Sequence, residues 1–425
     1  MINVRLYTPT DKKLWDSYVL NHPDSTHCHL SGWKNVIEKA YGHKAYYLIA
    51  FLSFNSINSS NPINSTNPTN PSNPSNPSNP IVGVLPLIHM KSFLFGNQLV
   101  SMPFLNYGGV LADSDEAARE LLEEAMAIAS RLKVSSVELR HINPILCLNS
   151  MNPINSSSSR LQDSTRNSSP VTRHWLWGST RNSSPVTCHW LWGSTRNSSP
   201  VTCHLLERTH KVRMVLNLPD SKEALLKSFK SKLRSQISRP EKEGMTATIG
   251  GADLLDSFYN IFSVNMRDLG SPVHSRRLFH EICSEFPESV RIGVVNYKDA
   301  SVAAGLIFCF RETVEIPWAS SLKEFNKFSP NMLLYWSLME YACDHGFKYF
   351  DFGRSTPDEG TYRFKEQWGA RPTPIYWHNI ALNGHAAGNN RSDKSKYDKL
   401  IQYWKKLPLP ISNRVGPVIR KRISL

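Results

Sequence analysis

The sequence predicts a mixed α/β protein: two tandem units of one plan, interrupted by two low-complexity insertions. Three observations carry this. The order strand, two helices, strands, helix, strand occurs once before residue 145 and again after residue 208. Two segments break that pattern, one a run of Asn, Pro and Ser, the other a short tandem repeat. The chain has 425 residues, 40% of them hydrophobic, which is enough for two ordinary domains.

The first unit, 1–144, opens with a strand expected at 2–7. Helical patterns follow near 12–20 and 32–40, and strands at 45–54, 81–90 and 98–103. The stretch DEAARELLEEAMAIASRLK, from Asp115, has apolar residues at helical spacing. Its two leading acids suit the positive end of a helix dipole. The segment VSSVELRHI closes the unit as a strand. Within it, 55–80 is almost all Asn, Pro, Ser and Thr, with only Ile57 and Ile63 apolar. Such a stretch has no core to bury and reads as a disordered loop. Its flanks, KAYYLIAFLSF and IVGVLPLIHM, are strand-like, so it is expected to enlarge a hairpin loop, where added length costs little entropy.

The second insertion, 145–208, contains STRNSSPVTRHWLWG at 164–178, STRNSSPVTCHWLWG at 179–193 and a decaying third copy from Ser194. Near-identity at every position points to recent duplication, and so few copies cannot stack into a solenoid. Cys188-His189 and Cys203-His204 imitate a zinc pair. The first copy has Arg173-His174 instead, so no metal is expected.

The second unit, 209–384, starts with the strand VRMVLNLP. Helices are expected at 221–237, 253–269 and 276–286, then strands RIGVVNY, VAAGLIFCF and TVEIPWASS. The helix NMLLYWSLMEYACDHG follows, with Gly346 as its C-cap, and then the strand FKYFDFG.

The formal charge is +14. Much of it sits in the tail 385–425, where ten Lys/Arg stand against two Asp. An anionic partner is therefore expected. The tail pairs Lys405, Lys406, Arg420, Lys421 and Arg422 with Trp404, Leu407 and Ile411, which suggests peripheral membrane contact, although Pro408 and Pro410 interrupt any amphipathic helix there. No signal peptide or run of about 18 apolar residues is visible, so a cytoplasmic protein is expected. Seven cysteines without framework spacing fit reduced thiols, with Cys283, Cys309 and Cys343 in apolar elements. A nucleic-acid-binding module is disfavoured, because no such motif is present and the basic residues concentrate in the tail.

The sharpest signal is FDFGRSTPDEGTYRFKEQWGARP at 350–372. With PFLNYGG at 103–109, SKLRSQISRPEKEG at 231–244 and NMRDLGSPVH at 265–274, it resembles FemAB-like proteins of the type associated with exopolysaccharide and PEP-CTERM (exosortase) systems. The element order is similarly that of the acetyltransferase (GNAT) fold. The resemblance implies two GNAT-like domains with a substrate cleft between them. It further implies an acyl or aminoacyl donor, aminoacyl-tRNA in characterised relatives, and an amine acceptor on an envelope or polysaccharide precursor. A non-catalytic binding component of exopolysaccharide assembly and a conventional acyl-CoA-dependent N-acetyltransferase are the alternatives.

The same resemblance places Lys365 near the transferred group, where a cation could stabilise developing negative charge. Otherwise Lys365 is a surface lysine between Phe364 and Trp368. Asp351 and Arg354 follow a strand end, where α/β sheets place ligands. Asp351 could take a proton from the attacking amine and Arg354 could clamp a phosphate or carboxylate. An ion pair of Asp351 with Arg354 or Arg363 is the structural alternative. Trp318 and Ser320 could line an acyl pocket. Asn331 could too, but it reads first as a helix N-cap. Asn106, Tyr107, Gly108 and Gly109 form a turn whose glycines permit close backbone approach, to a ligand or simply within the turn. Lys232 and Arg234 lie on a basic helix that is either solvated or faces an anion. A pyrophosphate cradle for CoA needs backbone donors at a glycine-rich helix start. The loop NKFSPNMLLYW has no glycine, and Pro330 lacks an N–H. The matching loop VLADSDEAARE of the first unit is acidic. No bound cofactor is expected.

Overall fold

The computed structural model describes residues 1–53, 80–92, 96–145, 186–188, 203–208, 210–382 and 394–424. In the first unit β1 (Ile2–Leu6) leads to α1 (Lys12–Asn21) and α2 (Gly32–Tyr41). Strands β2 (Lys44–Ala45), β3 (Leu48–Leu52), β4 (Ile81–Leu85), β5 (Ile88–Ser92), β6 (Gly96–Val100) and β7 (Leu111–Ala112) precede α3 (Asp115–Arg131) and β8 (Ser136–His141). Two strands follow, β9 (Val186–Cys188) and β10 (Cys203–Arg208).

The second unit runs β11 (Val212–Asn217), α4 (Lys222–Ser228), α5 (Ser231–Lys242), β12 (Met245–Gly250), α6 (Leu255–Leu269), α7 (Arg276–Glu285), β13 (Val290–Tyr297), β14 (Ala300–Phe310), β15 (Thr313–Ser321), α8 (Pro330–Asp344), β16 (Tyr349–Ser355), α9 (Gly360–Glu366) and β17 (Arg371–Pro374). Strand β18 (Tyr376–Leu382) and the helices α10 (Lys394–Lys405) and α11 (Leu409–Arg420) complete the described chain.

The segment expected as one strand at 81–90 divides at Pro86. Proline offers no ladder N–H, and the halves enter different sheets: β4 in β1-β3-β4-β7 and β5 in β2-β5-β6-β8-β18-β10-β9. Likewise 45–54 divides into β2 and β3. The expected hairpin is present, with Leu48 opposite Leu85 and Ile49 opposite Val84. Most of the 55–80 loop it carries lies outside the described residues, as do most of the repeats. The second unit has one sheet, β12-β13-β14-β15-β16-β11-β17. Strand β14 is buried almost end to end because α8 covers one face and α6 the other, the pattern of a doubly covered strand. The helix expected at 221–237 is two helices, divided where Phe229 turns extended (ψ 148°). Gly346 takes φ +75° just after α8, as a C-terminal glycine should.

Strand β18 leaves the second unit and joins the first unit's sheet, pairing antiparallel with β8 from Tyr376 opposite His141 to Ala381 opposite Ser136. Residues 203–208, expected inside the repeat insertion, form the neighbouring strand, which pairs with β18. The units also share a core: Trp15 and Trp33 of the first belong to one apolar cluster with Phe258, Phe279 and Phe308 of the second.

The tail is helical and packed on the body. Proline at the second position of α11 costs no helical hydrogen bond, so Pro408 and Pro410 start this helix instead of preventing it. Its inward face carries Ser412 and Gly416, and a Cβ on Gly416 would lie 3.0 Å from the Val273 amide nitrogen. Arg420 Nε donates to His274 Nε2 (3.1 Å), and the Phe104 amide donates to the Ser424 carbonyl (2.8 Å). The outward face of α11 exposes Ile411, Val415 and Val418. Among the described residues no helix is long and apolar enough to cross a membrane. Cys283 and Cys343 are buried free thiols and Cys309 is half-buried.

Candidate active site

Strands β15 and β16 are parallel and pair only at their starts: Thr313 with Tyr349, Val314 with Phe350, Glu315 with Asp351. Beyond that pair they share no register. Strand β15 stays with β14 to Ser321, while β16 follows β11, whose pairing shifts register between Arg213 and Val215. The sheet therefore forks, and two carboxylates stand at its vertex. Glu315 is 4% exposed and Asp351 0%, so both need partners.

The first unit supplies several of them. His27 Nε2 lies 2.9 Å from Glu315 Oε2, and Asn106 Nδ2 donates to Glu315 Oε1 (3.0 Å). The Tyr107 hydroxyl donates to Asp351 Oδ1 (3.3 Å), which also accepts from the Gly353 amide (2.8 Å). Arg213 Nε donates to Asp351 Oδ2 (2.6 Å). Burial works against the His27 imidazolium, but the neighbouring Cys28 sulfur and the Glu315 carboxylate raise its pKa to about 10. Burial pushes the Glu315 carboxyl up. His27 and Asn106 outweigh this and leave it below its ordinary value. His27 and Glu315 thus form an ionic pair joining the two units.

Lys365 lies beside this network. Its surface alternative is excluded, because the residue is 8% exposed. The Nζ donates to the carbonyls of Arg354 (2.9 Å) and Gly353 (3.3 Å) on the free arm of the fork. Helix α9 is too short to be stable alone. Trp368, fully buried against Phe229 (centroids 5.5 Å apart), anchors the end of this segment. Three positions back on the same face, Lys365 is carried inward. Burial lowers its pKa to about 8, with Arg354 adding to the fall and Asp351 and Glu315 opposing it.

The first unit has an equivalent fork, and it is plugged. Strands β6 and β8 pair in parallel up to Val100 and Glu138. Two residues on, where the second unit has Gly353, stands Arg140, fully buried. Its Nη1 donates to the carbonyls of Leu105 (2.7 Å) and Met102 (3.1 Å), and its Nη2 to Glu138 (2.6 Å). At the matching position the second fork has no side chain of its own strand, and a Cβ on Gly353 would lie 2.9 Å from Asn106 Nδ2.

Other expected residues divide. Asn106 and Tyr107 reach the vertex. Gly108 and Gly109 serve the turn itself: at φ 97° a Cβ on Gly109 would lie 2.4 Å from His141 Cδ2. Asp351 pairs with Arg213 and not with Arg354 or Arg363. The Arg354 guanidinium lies over the Trp377 ring instead, 4.7 Å from its centre, and Arg363 is exposed. Trp318 lies in the shared core at 5.1 Å from Phe279, and the Ser320 hydroxyl accepts from Asn265 (3.0 Å). Neither reaches the vertex. Asn331 is not the cap of α8; that position is Ser329, at φ +60°. Lys232 and Arg234 lie on the exposed face of α5, where Arg234 Nη1 donates to the Phe229 carbonyl (2.8 Å) and closes the α4–α5 turn.

Sequence reading missed Glu315, His27 and Arg213. Only Glu315 left a signal, as a lone carboxylate inside an apolar strand. A cavity of about 430 Å³ between the units opens on Arg213, with Thr26, Arg311, Tyr349 and Arg371 in its walls. Another, of about 290 Å³, lies at the start of α3 beside Asp113, Asp115 and Asp24.

Residues 227–366 match the family model "Acetyltransferase (GNAT) domain". Among solved structures the chain is similar to FemX: 14% identity, 88% of this chain and 96% of that one covered, TM-score 0.55. It is also similar to a tandem GNAT protein from the clavulanic acid biosynthesis pathway (9% identity, 91% and 100% covered, TM-score 0.46) and to L-PGS from Bacillus licheniformis (12%, 77% and 87%, 0.43). No curated protein matches it in sequence. The chain carries a GNAT acetyltransferase domain around its open fork, its fold is that of tandem GNAT-like units, and it is an acyltransferase.

Proposed function

We propose that the protein is a FemAB-type N-acyltransferase that moves an acyl or aminoacyl group onto an amine of a cell-envelope or exopolysaccharide precursor, on the cytoplasmic side. The observation that carries this reading is the buried Lys365 ammonium beside the unplugged fork. A donor carbonyl in the fork places its oxygen toward Lys365. The acceptor nitrogen attacks the carbonyl carbon, the oxygen gains charge, and the cation stabilises it. The carbon–oxygen or carbon–sulfur bond to the carrier then breaks, and the amine proton leaves to the carrier or to water. Asp351, already accepting from Arg213, Tyr107 and Gly353, is in this scheme a positioning residue and not the base. The units bring donor and acceptor together.

An aminoacyl ester such as aminoacyl-tRNA suits the fork better than acetyl-CoA. The loop before α8 has no glycine, begins the helix with Pro330 and holds Ser329 at positive φ, which leaves few backbone donors for a pyrophosphate. The test is mass spectrometry of products formed by the pure protein from a donor panel of acyl-CoAs and charged tRNAs. An acylated amine formed only from charged tRNA supports the reading. Transfer from acetyl-CoA makes the protein a conventional N-acetyltransferase, and binding without any turnover makes it a non-catalytic component.

Turnover should depend on pH through Lys365. A cation is needed, so kcat should fall as pH rises above about 8. In Arg354→Gln the falling limb should move to higher pH, since Arg354 is one of the groups that lower the Lys365 pKa. A limb that stays in place assigns it to another group.

Peripheral membrane contact is proposed for the outer face of α11. Ile411, Val415 and Val418 recur there at helical spacing, with Arg414, Lys421 and Arg422 near them and no acid after Asp398. Each basic residue at an anionic bilayer contributes about 1 kcal/mol. Val415→Asp/Val418→Asp should abolish co-sedimentation with phosphatidylserine vesicles; equal sedimentation of variant and wild type refutes the contact.

A further inference from the structure

The larger cavity between the units sits at the starts of β15 and β16, with Thr313 and Tyr349 in its wall. Arg354 lies roughly 16 Å further along β16 than Tyr349, at the rise of a strand. The cavity is therefore at the opposite end of the parallel pair from the open fork. One wall is a face of two strands. Along β11 the less buried positions are Arg213, Val215 and Asn217. On β17 Arg371 stands opposite Val215 and Thr373 opposite Arg213, so these side chains share a face, and all five line the cavity. Across from them is the turn between β14 and β15. There Arg311 reaches the first unit, and its Nη1 donates to the His22 carbonyl (2.7 Å) and the Ser25 hydroxyl (3.3 Å). Arg213 gives only its Nε to Asp351, and its two Nη groups have no acceptor among the described residues. Arg371 is exposed and, among the described residues, without an ion pair. Against these three guanidiniums stand two carboxylates, Asp351 behind Arg213 and Glu312 in the wall; the Glu315 charge is met by His27. The cavity thus carries one positive charge in excess.

The geometry points to a binding site for a small monocarboxylate with an apolar body, held between Arg213 and Arg371 and separate from the open fork. A guanidinium meets a carboxylate through two parallel N–H donors, and the Nη groups of Arg213 are available for this. One negative charge balances the excess, where a phosphate dianion overshoots it. Val215, Ile142 and Phe310 give the apolar body its surface, and about 430 Å³ is room for a small ligand. The carboxylate holds Arg213 from the far side while its Nε stays on Asp351, so it adds an anchor to the residue that positions Asp351. It also ties the first unit's loop at Ser25 and Thr26 to β11. Neither an acyl donor nor Lys365 enters this site, so it stands apart from the acyl-transfer reading.

The experiment is isothermal titration of the full chain at low salt with phenylacetate, an apolar monocarboxylate, and with its neutral amide, phenylacetamide. Wild type should bind the acid at least tenfold tighter than the amide. Arg371→Gln, at an exposed position of an edge strand, should weaken the acid at least fivefold and leave the amide unchanged. Glu312→Gln removes the opposing charge from the wall and should tighten the acid severalfold. Lys13→Gln, an exposed lysine of α1, should change neither, and Lys365→Met should bind as wild type does. Arg213→Gln removes the central donor and should abolish binding of the acid. Thermal denaturation checks its fold, and should it unfold, the Arg371 and Glu312 variants decide. Inorganic phosphate is the third arm: phosphate that binds tighter than phenylacetate, with the same dependence on Arg371, overturns the carboxylate class. No binding by wild type, equal binding of acid and amide, or acid binding indifferent to Arg371→Gln overturns the site. The expected pattern upholds it whether or not the protein transfers an acyl group, and its failure leaves the acyl-transfer reading untouched.

Discussion

Lys365→Met is expected to reduce the turnover of acyl transfer about a hundred- to a thousandfold, a rise of about 2.7–4 kcal/mol in the barrier, the typical cost of removing one preorganised oxyanion donor. The magnitude is large because the site is dry. Lys365 is 8% exposed and its Nζ is already held by two backbone carbonyls, so little reorganisation is needed when charge develops. Methionine keeps the length of the stem and suits the apolar surroundings of Phe364 and Trp368, so the fold should survive. Linkage supports this. The folded pKa of Lys365, about 8, lies below its ordinary value, so the unfolded chain binds the extra proton between about pH 8 and 10.5. Burying the cation therefore costs stability below pH 8, and stability is regained as pH rises through that window. Removing the charge relieves that cost. The checks are single-turnover kinetics and a urea melt. Wild-type turnover, or a lost fold, removes Lys365 from the chemistry.

His27→Leu should destabilise the protein by about 3–5 kcal/mol, because it strips the counter-charge from Glu315 and leaves a buried carboxylate with only Asn106 and the more distant Arg213. The double variant His27→Leu/Glu315→Leu should be closer to wild type than the single one, since replacing both members of a buried pair is often nearly neutral. The pair's pH signature is opposite in sign to that of Lys365. The folded pKa of His27 is raised to about 10, so its stabilisation is complete below about pH 6.5 and is lost as pH rises toward 10. Urea melts of the two variants across that range decide it. A double variant as unstable as the single one would mean that shape, not charge, holds His27 in place.

Parts of this site are legible in the sequence for physical reasons. Lys365 is found because Phe364 and Trp368 flank it within a recognisable motif, and Asn106 and Tyr107 because they precede paired glycines. Arg213 and His27 are not, because each matters through a partner distant in the chain: Asp351 lies 138 positions from Arg213 and Glu315 lies 288 from His27. The tail's prolines misled: Pro408 and Pro410 were expected to interrupt an amphipathic helix, yet they start α11, whose Gly416 and Ser412 form the small-residue face that seats it on Val273.

The sequence by itself determined the element plan, its duplication and the flanks of the first insertion, because hydrophobic periodicity and turn chemistry are local. It also marked Lys365 as the residue to examine. Tertiary structure alone decided which of two similar forks stays free. Both strands carry a carboxylate at the vertex, Glu138 and Asp351, and the difference is what stands two residues later. Arg140 fills its fork because the carbonyls of Met102 and Leu105 turn toward it, whereas Gly353 carries no side chain and offers its carbonyl to Lys365. The same holds for the tail's Arg420, which reaches His274 only because α11 folds back over α6. These outcomes depend on contacts across the whole chain, and local propensity carries no record of them.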